Sequence, residues 1–380
     1  MTEALPHIEA ITGCGHEQVG SAGRKYALLA HLVEPPSALT LECGETLSGL
    51  TVAYETYGTL NAQGDNAVLV CHGYTASAHA AGINEAETPA VGWWDGLIGP
   101  GKAFDTDRYF VISSNVLGGC RGTTGPSSVN PRTGKAFGSE FPAITLGDMV
   151  TVQKLLIQSL GVTKLHCVAG GSMGGMQALE WAMRFPGLVA NCIPIACGPY
   201  LTAQAIALGY AQRLSVEADP NWHGGDYYGI GKPDRGLAAA RILAHTTYVS
   251  REYLDSQFGG AGSPNRLAIL DYLEDEAHSF VNRFDANSFM VLGAAMARYA
   301  RDLSALSAEQ RVGMASINWL LLSFTTDWLF PAEQLDAVAA FLRESGAAVT
   351  REILATEHGH DAFLTEQHRL TPYIHDFLTR

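Results

Sequence analysis

Short apolar runs and longer segments of helical period alternate along this chain from about residue 51 to residue 197, the pattern that a parallel sheet covered by helices requires. Residues 67–71, 109–113 and 165–169 are apolar-rich runs of strand length, as expected of strands buried on both faces. Residues 144–160 carry apolar side chains at helical spacing and stop at Gly161, and residues 173–185 read as a second helix closed by Pro186. After a strand at 193–197 the alternation ceases. From Leu201 to about Val312 the pattern is mostly helical, broken by glycine-rich stretches at 222–231 and 258–262. Alternation resumes with a strand at 317–323, a helix at 331–342, a strand around 350–354 and a last helix near 372–378. The pattern predicts an α/β core formed by residues 1–197 and 313–380, interrupted once by a helical cap at 198–312. No internal repeat or low-complexity segment is visible.

Composition narrows the class. With 47% hydrophobic and 16% charged residues in 380, the chain is neither disordered, nor collagen-like, nor a small disulfide scaffold. Lys plus Arg is 24 and Asp plus Glu is 38, a net charge of −14 that repels phosphate backbones and anionic membrane surfaces, so nucleic acid and membrane are not expected partners. The amino terminus lacks a basic segment followed by an apolar one, and apolar runs such as 319–324 fall far short of the ~20 residues of a membrane-spanning helix. The seven cysteines, Cys14 among them, are odd in number and show no CxxC spacing. A reduced, cytoplasmic compartment without structural zinc is expected.

The sharpest chemical signal is Gly170-Gly171-Ser172-Met173-Gly174, a G-x-S-x-G between an expected strand and an expected helix. A tight strand-to-helix turn lifts the serine oxygen out of the sheet, and glycines are needed where side chains would strike the neighbouring strand and helix. A serine nucleophile needs a base, and the base a carboxylate that fixes its tautomer. In this architecture the chain order is Ser, then Asp or Glu, then His, each after a strand. Asp327 follows the strand at 317–323, and His360 follows the one near 354. His358 competes with His360 as the base, and Asp327 could instead cap the helix near Pro331. The His358-x-His360 pair has no further ligand set at metal spacing, so no metal is expected. An oxyanion hole would use the N–H of Met173 and that of Tyr74 in Cys71-His72-Gly73-Tyr74-Thr75. The Tyr74 phenol either points at the same oxyanion or is a core tyrosine satisfied elsewhere.

Taken together, these residues resemble the homoserine O-acetyltransferase family, a branch of the α/β-hydrolase fold. The resemblance spans most of the chain: Tyr54-Glu55-Thr56-Tyr57-Gly58, GWWDGLIGPG at 92–101, NVLGGCRGTTGPSS at 115–128, GGSMGGMQALEW at 170–181, RILAHTTY at 241–248, RFDA at 283–286, Asp327 and the GHDAF that includes His360. It implies an α/β-hydrolase fold with a mostly parallel sheet, a Ser172–Asp327–His360 triad, Arg241 holding an amino-acid carboxylate and Asp361 receiving its amine. The family's reaction is ping-pong: acetyl passes from acetyl-CoA to the serine and then to the acceptor hydroxyl. Acetyl-CoA is therefore an expected co-substrate of the transferase reading, and no resident cofactor is expected. Leu329 stands where succinyl-using relatives carry arginine; a leucine offers a succinyl carboxylate no partner, which implies an acetyl group. The cap, by analogy with the family, suggests a homodimer.

One segment departs. Homoserine acetyltransferases typically read H-A-L-T-G where this chain reads His72-Gly73-Tyr74-Thr75-Ala76. A tyrosine beside the acyl carbon could order a deacylating water or add an oxyanion donor, and His-Gly before the donor is common in esterases. On that residue the first expectation is hydrolysis of short-chain acetate esters. The second is O-acetylation of L-homoserine, or less readily serine. Both proceed through acetyl-Ser172.

Overall fold

The computed structural model describes residues 8–10, 28–33, 37–84, 90–259, 264 and 266–380. Its main sheet has nine strands: β1 (Ile8–Ala10), β2 (Leu28–Val33), β3 (Leu50–Tyr57), β4 (Ala67–Cys71), β5 (Phe110–Ser114), β6 (Leu165–Gly171), β7 (Val189–Ile195), β8 (Asn318–Phe324) and β9 (Ala348–Leu354). Their order across the sheet is β1-β2-β3-β5-β4-β6-β7-β8-β9. The pairings β1–β2, β2–β3 and β3–β5 are antiparallel. Every pairing from β5 to β9 is parallel. All five residues of β4 are buried, because helices cover both faces of the sheet there. This is the expected mostly parallel α/β architecture.

Helices α1 (Leu146–Ser159) and α2 (Met173–Arg184) flank β6 in sequence. Thr145 closes a capping box with Asp148 at the start of α1, and Pro186 stops the chain from continuing α2. Then come α3 (Ala203–Glu217), α4 (Asp234–Tyr248), α5 (Arg251–Phe258), α6 (Ala268–Arg283) and α7 (Ala286–Arg298) of the cap, followed by α8 (Ala308–Ala315), α9 (Ala332–Glu344), α10 (Ala362–Thr365) and α11 (Gln367–Leu378). Residue 312 lies inside α8, which packs on α2 and α9. The cap leaves and rejoins the core at a narrow neck. Tyr200 and Ala300 form an antiparallel bridge, the Arg301 N–H donates to Pro199 O at 2.8 Å, and the Arg301 Nε donates to Glu180 Oε2 of α2 at 2.8 Å.

Several boundaries move. The strand expected at 193–197 runs Val189–Ile195, its polar Asn191 being tolerated through a bond to His166 O. The last helix starts at Gln367 and contains Pro372 rather than beginning there. Strands β1 and β2, unread in the sequence, build the antiparallel edge. The amino-terminal reading and Cys14 lie outside the described residues; the other six cysteines are free. Among the described residues no helix is long and apolar enough to cross a membrane.

The parallel register decides where the site is. Cys71 stands opposite Gly170, Gly171 opposite Ile195, Ile195 opposite Leu322, and Phe324 opposite Leu354. The chain thus leaves β4, β6, β8 and β9 along one carboxyl edge, the usual ligand edge of a parallel sheet.

Candidate active site

Ser172 is the residue between β6 and α2, held at φ 58° and ψ −125°, a conformation costly for any residue with a Cβ. Its N–H donates to Ile195 O at 3.0 Å, which fixes the turn to the neighbouring strand. The turn is crowded enough that a Cβ on Gly174 would lie 2.0 Å from Cys71 O. That is the steric reason for glycine two residues after the serine.

Asp327 and His360 follow β8 and β9. The His360 Nδ1 lies 2.8 Å from Asp327 Oδ2, and both side chains are buried. The other carboxylate oxygen, Oδ1, accepts the N–H groups of Leu329 at 3.0 Å and Phe330 at 2.9 Å. Asp327 therefore has no rotational freedom: one oxygen is tied to backbone and the other to the imidazole. Burial alone would lower the His360 pKa, but the charge and hydrogen bond of Asp327, with Asp361 adding, more than reverse this and hold it above 6.5. The far nitrogen, Nε2, is buried and makes no hydrogen bond among the described residues, which leaves it for a reacting proton. In this conformation the bond to Ser172 is open, as catalytic bonds often are without substrate. His358, the competing base, instead pairs with Glu366 through Nδ1 at 2.8 Å.

The loop after β4 approaches the serine from the other side: a Cβ on Gly73 would lie 3.9 Å from Ser172 Cβ. His72 holds this loop. Its Nε2 accepts the Val116 N–H at 3.1 Å, so the proton is on Nδ1, which donates to Gly73 O at 2.7 Å. Burial pushes its pKa down to about 4, which keeps the ring neutral and this tautomer in place. Met173, as the first residue of α2, has an N–H with no intrahelical acceptor. The Tyr74 phenol does not point toward an oxyanion. Its O–H donates to Phe289 O of α7 at 2.5 Å, and a hydroxyl has only one proton to give.

Above the serine lies a cavity of about 340 Å³ lined by Tyr74, Ser172, Tyr248, Phe289, Leu329 and Phe330, among others. Arg241 and Asp361 are not in its wall. Tyr248, which does line it, has the Arg241 guanidinium 5.6 Å from its ring centroid and the His360 ring 6.1 Å away. Burial pushes the Asp361 carboxyl up to about 6 against the pull of His360 and Arg241. Arg241 is already engaged: Nη2 donates to Glu276 Oε2 at 2.9 Å, while its buried Nε has no partner among the described residues. Sequence patterns gave no sign of Glu276, which reaches Arg241 from a different helix, or of the anchoring role of His72. Among the described residues no three His, Cys, Asp or Glu side chains gather to hold a metal ion.

The model of the alpha/beta hydrolase fold matches residues 66–367. The homoserine O-acetyltransferase of Deferribacter desulfuricans is 45% identical over 347 residues, which cover 89% of this chain and 92% of that one. The chain belongs to the homoserine O-acetyltransferase family. A crystal structure of homoserine O-acetyltransferase from Bacillus anthracis superposes on this member with a TM-score of 0.84 at 29% identity, covering 94% of this chain and 97% of that one. A crystal structure of an esterase superposes with a TM-score of 0.81 at 32% identity, covering 90% and 97%. The chain's fold is thus shared by a protein named for transfer and one named for hydrolysis, and one ground for expecting hydrolysis weakens here. Of the two grounds, the Tyr74 phenol as an oxyanion donor is answered by the bond to α7, while the His72-Gly73 pattern is left as it was. The relatives' names favour the transferase.

Proposed function

We propose that this protein transfers an acetyl group from acetyl-CoA to the hydroxyl of L-homoserine through an acetyl-Ser172 intermediate. Two kinds of support converge. The 2.8 Å Asp327–His360 pair beside a serine on a strained turn supports covalent acyl chemistry. The observation that carries transfer over hydrolysis is the 45% identity to a homoserine O-acetyltransferase across nearly the whole chain.

Ser172 Oγ attacks the thioester carbonyl while His360 Nε2 takes its proton, and the N–H groups of Met173 and Tyr74 receive the oxyanion. Collapse breaks the C–S bond; the thiol leaves with the proton from His360. The homoserine hydroxyl then gives its proton to His360 and attacks the acetyl carbon. Ser172 departs and recovers that proton, releasing O-acetylhomoserine. Asp327 holds the imidazole with Nδ1 protonated and stabilises the imidazolium. Arg241 takes the acceptor carboxylate, Asp361 its amine, and Leu329 leaves the acyl pocket apolar, suited to acetyl.

A second reading, hydrolysis of the same acetyl-enzyme by water, has one observation in its favour: Glu276 already occupies part of the guanidinium that an acceptor carboxylate would need. Thiol release from acetyl-CoA, followed with and without L-homoserine, separates the two. Transfer predicts homoserine-dependent release with O-acetylhomoserine as product, and Arg241→Ala raising the KM for homoserine far more than that for acetyl-CoA. Thiol release indifferent to homoserine, with free acetate as product, would overturn the transferase reading.

A further inference from the structure

The loop carrying Tyr74 is tied to both halves of the molecule. On the core side it is held by His72, as described. On the cap side there are two bonds: Arg283 Nη1, at the end of α6, donates to Thr75 O at 2.8 Å, and the Tyr74 hydroxyl donates to Phe289 O. Phe289 lies in the first turn of α7, and its carbonyl is the one that a regular helix offers to the N–H of residue 293. A side chain at 293 would stand where the phenol enters. A Cβ there would lie 2.6 Å from Tyr74 Oη and 3.4 Å from its Cζ. Residue 293 is glycine, a destabilising choice inside a helix that is offset here by the room it makes. The Tyr74 ring also packs on Phe289, with centroids 4.9 Å apart.

We propose that Tyr74 and Gly293 are a matched pair that fixes cap helix α7 to the oxyanion loop, which makes Tyr74 a positioning residue for its own backbone N–H. The proposal rests on the reading of that N–H as an oxyanion donor. The phenol has no rotatable bond beyond its ring, so it acts as a stiff arm between α7 and the donor: a shift of the cap helix moves the peptide that must meet the oxyanion. The same arm is a fixed wall of the cavity beside Ser172.

The test is a double-mutant cycle on Tyr74→Leu and Gly293→Ala, with Tyr74→Phe as the conservative variant. Aryl acetate turnover reports kcat and KM whatever the acceptor, mass spectrometry of quenched enzyme reports acetyl-Ser172, and thermal melting reports folding. Gly293→Ala should lower kcat about tenfold with KM nearly unchanged, less than the 10²–10³ of a deleted oxyanion donor because the N–H is displaced and not lost. Tyr74→Phe should cost about threefold. In the Tyr74→Leu background, Gly293→Ala should cost no more than about twofold, since nothing remains for the new Cβ to strike. If Gly293→Ala fails to fold, a normal melt for the double variant supports the pair equally. A Gly293→Ala penalty that is absent in wild type, or the same in both backgrounds, overturns the proposal. Absence of acetyl-Ser172 in wild type would instead overturn the functional reading and with it the positioning role, while a non-additive melting temperature would still register the pair.

Discussion

Replacing Asp327 by asparagine changes one atom, and the surroundings dictate what that atom does. Oδ1 accepts the Leu329 and Phe330 N–H groups at 3.0 and 2.9 Å, so an asparagine keeps its carbonyl oxygen there. Turning it round would set an NH₂ against two N–H donors and forfeit two hydrogen bonds worth ~1 kcal/mol each. The NH₂ therefore faces His360 Nδ1 across 2.8 Å, and Nδ1 must become an acceptor. The imidazole proton moves to Nε2, the nitrogen that has to take the serine proton. The wrong tautomer is thus locked in by backbone donors on the far side of the carboxylate, and the imidazolium that forms during reaction loses its neighbouring charge. Both effects fall on the transition state. The expected loss in kcat is ~10⁴-fold, the size seen when the same atom is exchanged in serine protease triads, equivalent to ~5.4 kcal/mol. KM should stay within ~3-fold, because Asp327 touches no substrate, and the melting temperature within ~4 °C, because every backbone donor keeps its acceptor. Steady-state hydrolysis of an aryl acetate and thiol release from acetyl-CoA both read the effect, and a calorimetric melt controls for folding. The pH profile adds a signature: without the carboxylate charge that holds the His360 pKa up, the acid limb of the residual activity should move to lower pH. A loss under ~100-fold with an unmoved acid limb would refute this account of the pair.

Ser172→Ala should abolish turnover and leave the melt unchanged, and His360→Ala should be nearly as damaging, whereas His358→Ala, which loses only its partner Glu366, should keep most activity; activity assays on the three variants decide the assignment of the base. In wild type, kcat/KM should rise with pH through an ionisation above 6.5: the base must be neutral to accept a proton, and Asp327 favours the protonated ring, so more alkali is needed to discharge it. Gly174→Ala should prevent accumulation of folded protein or, at on the order of 3 kcal/mol of strain, lower its melting temperature by ~4 °C, since its Cβ would meet a backbone oxygen at 2.0 Å; a normal melt would show that the turn can yield.

The inner parallel strands were legible because burial on both faces makes them runs of apolar residues, as in the AVLVC of β4. Strand β2 was not, since it carries one buried residue among half-buried ones and so leaves neither an apolar run nor a clean alternation. The placement of Ser172, Asp327 and His360 at one edge could be read from chain order because each follows a strand, and parallel strands deliver their ends to one edge whatever lies between them. The partners of those residues could not. Glu276 meets Arg241 across 35 positions, and the Tyr74 hydroxyl finds a carbonyl 215 positions away. Such contacts depend on how the cap is set down on the sheet, which no local pattern encodes. The phenol misled for that reason: its identity suggested a donor, and only its direction shows for what.

The neck between Pro199 and Arg301 has a practical meaning. Because the two ends of the insertion leave the sheet side by side and are bonded to each other and to α2, everything between them can be exchanged as one cassette without re-routing the core. Proton transfer would stay with the recipient protein, while Arg241, Glu276 and the α7 carbonyl that receives Tyr74 would travel with the graft. A chimaera made at this joint would take the Arg241 side of the proposed acceptor site from the donor of the cassette and keep Asp361 and Leu329 from the recipient, provided that residue 74 were exchanged to suit whatever stands at 293.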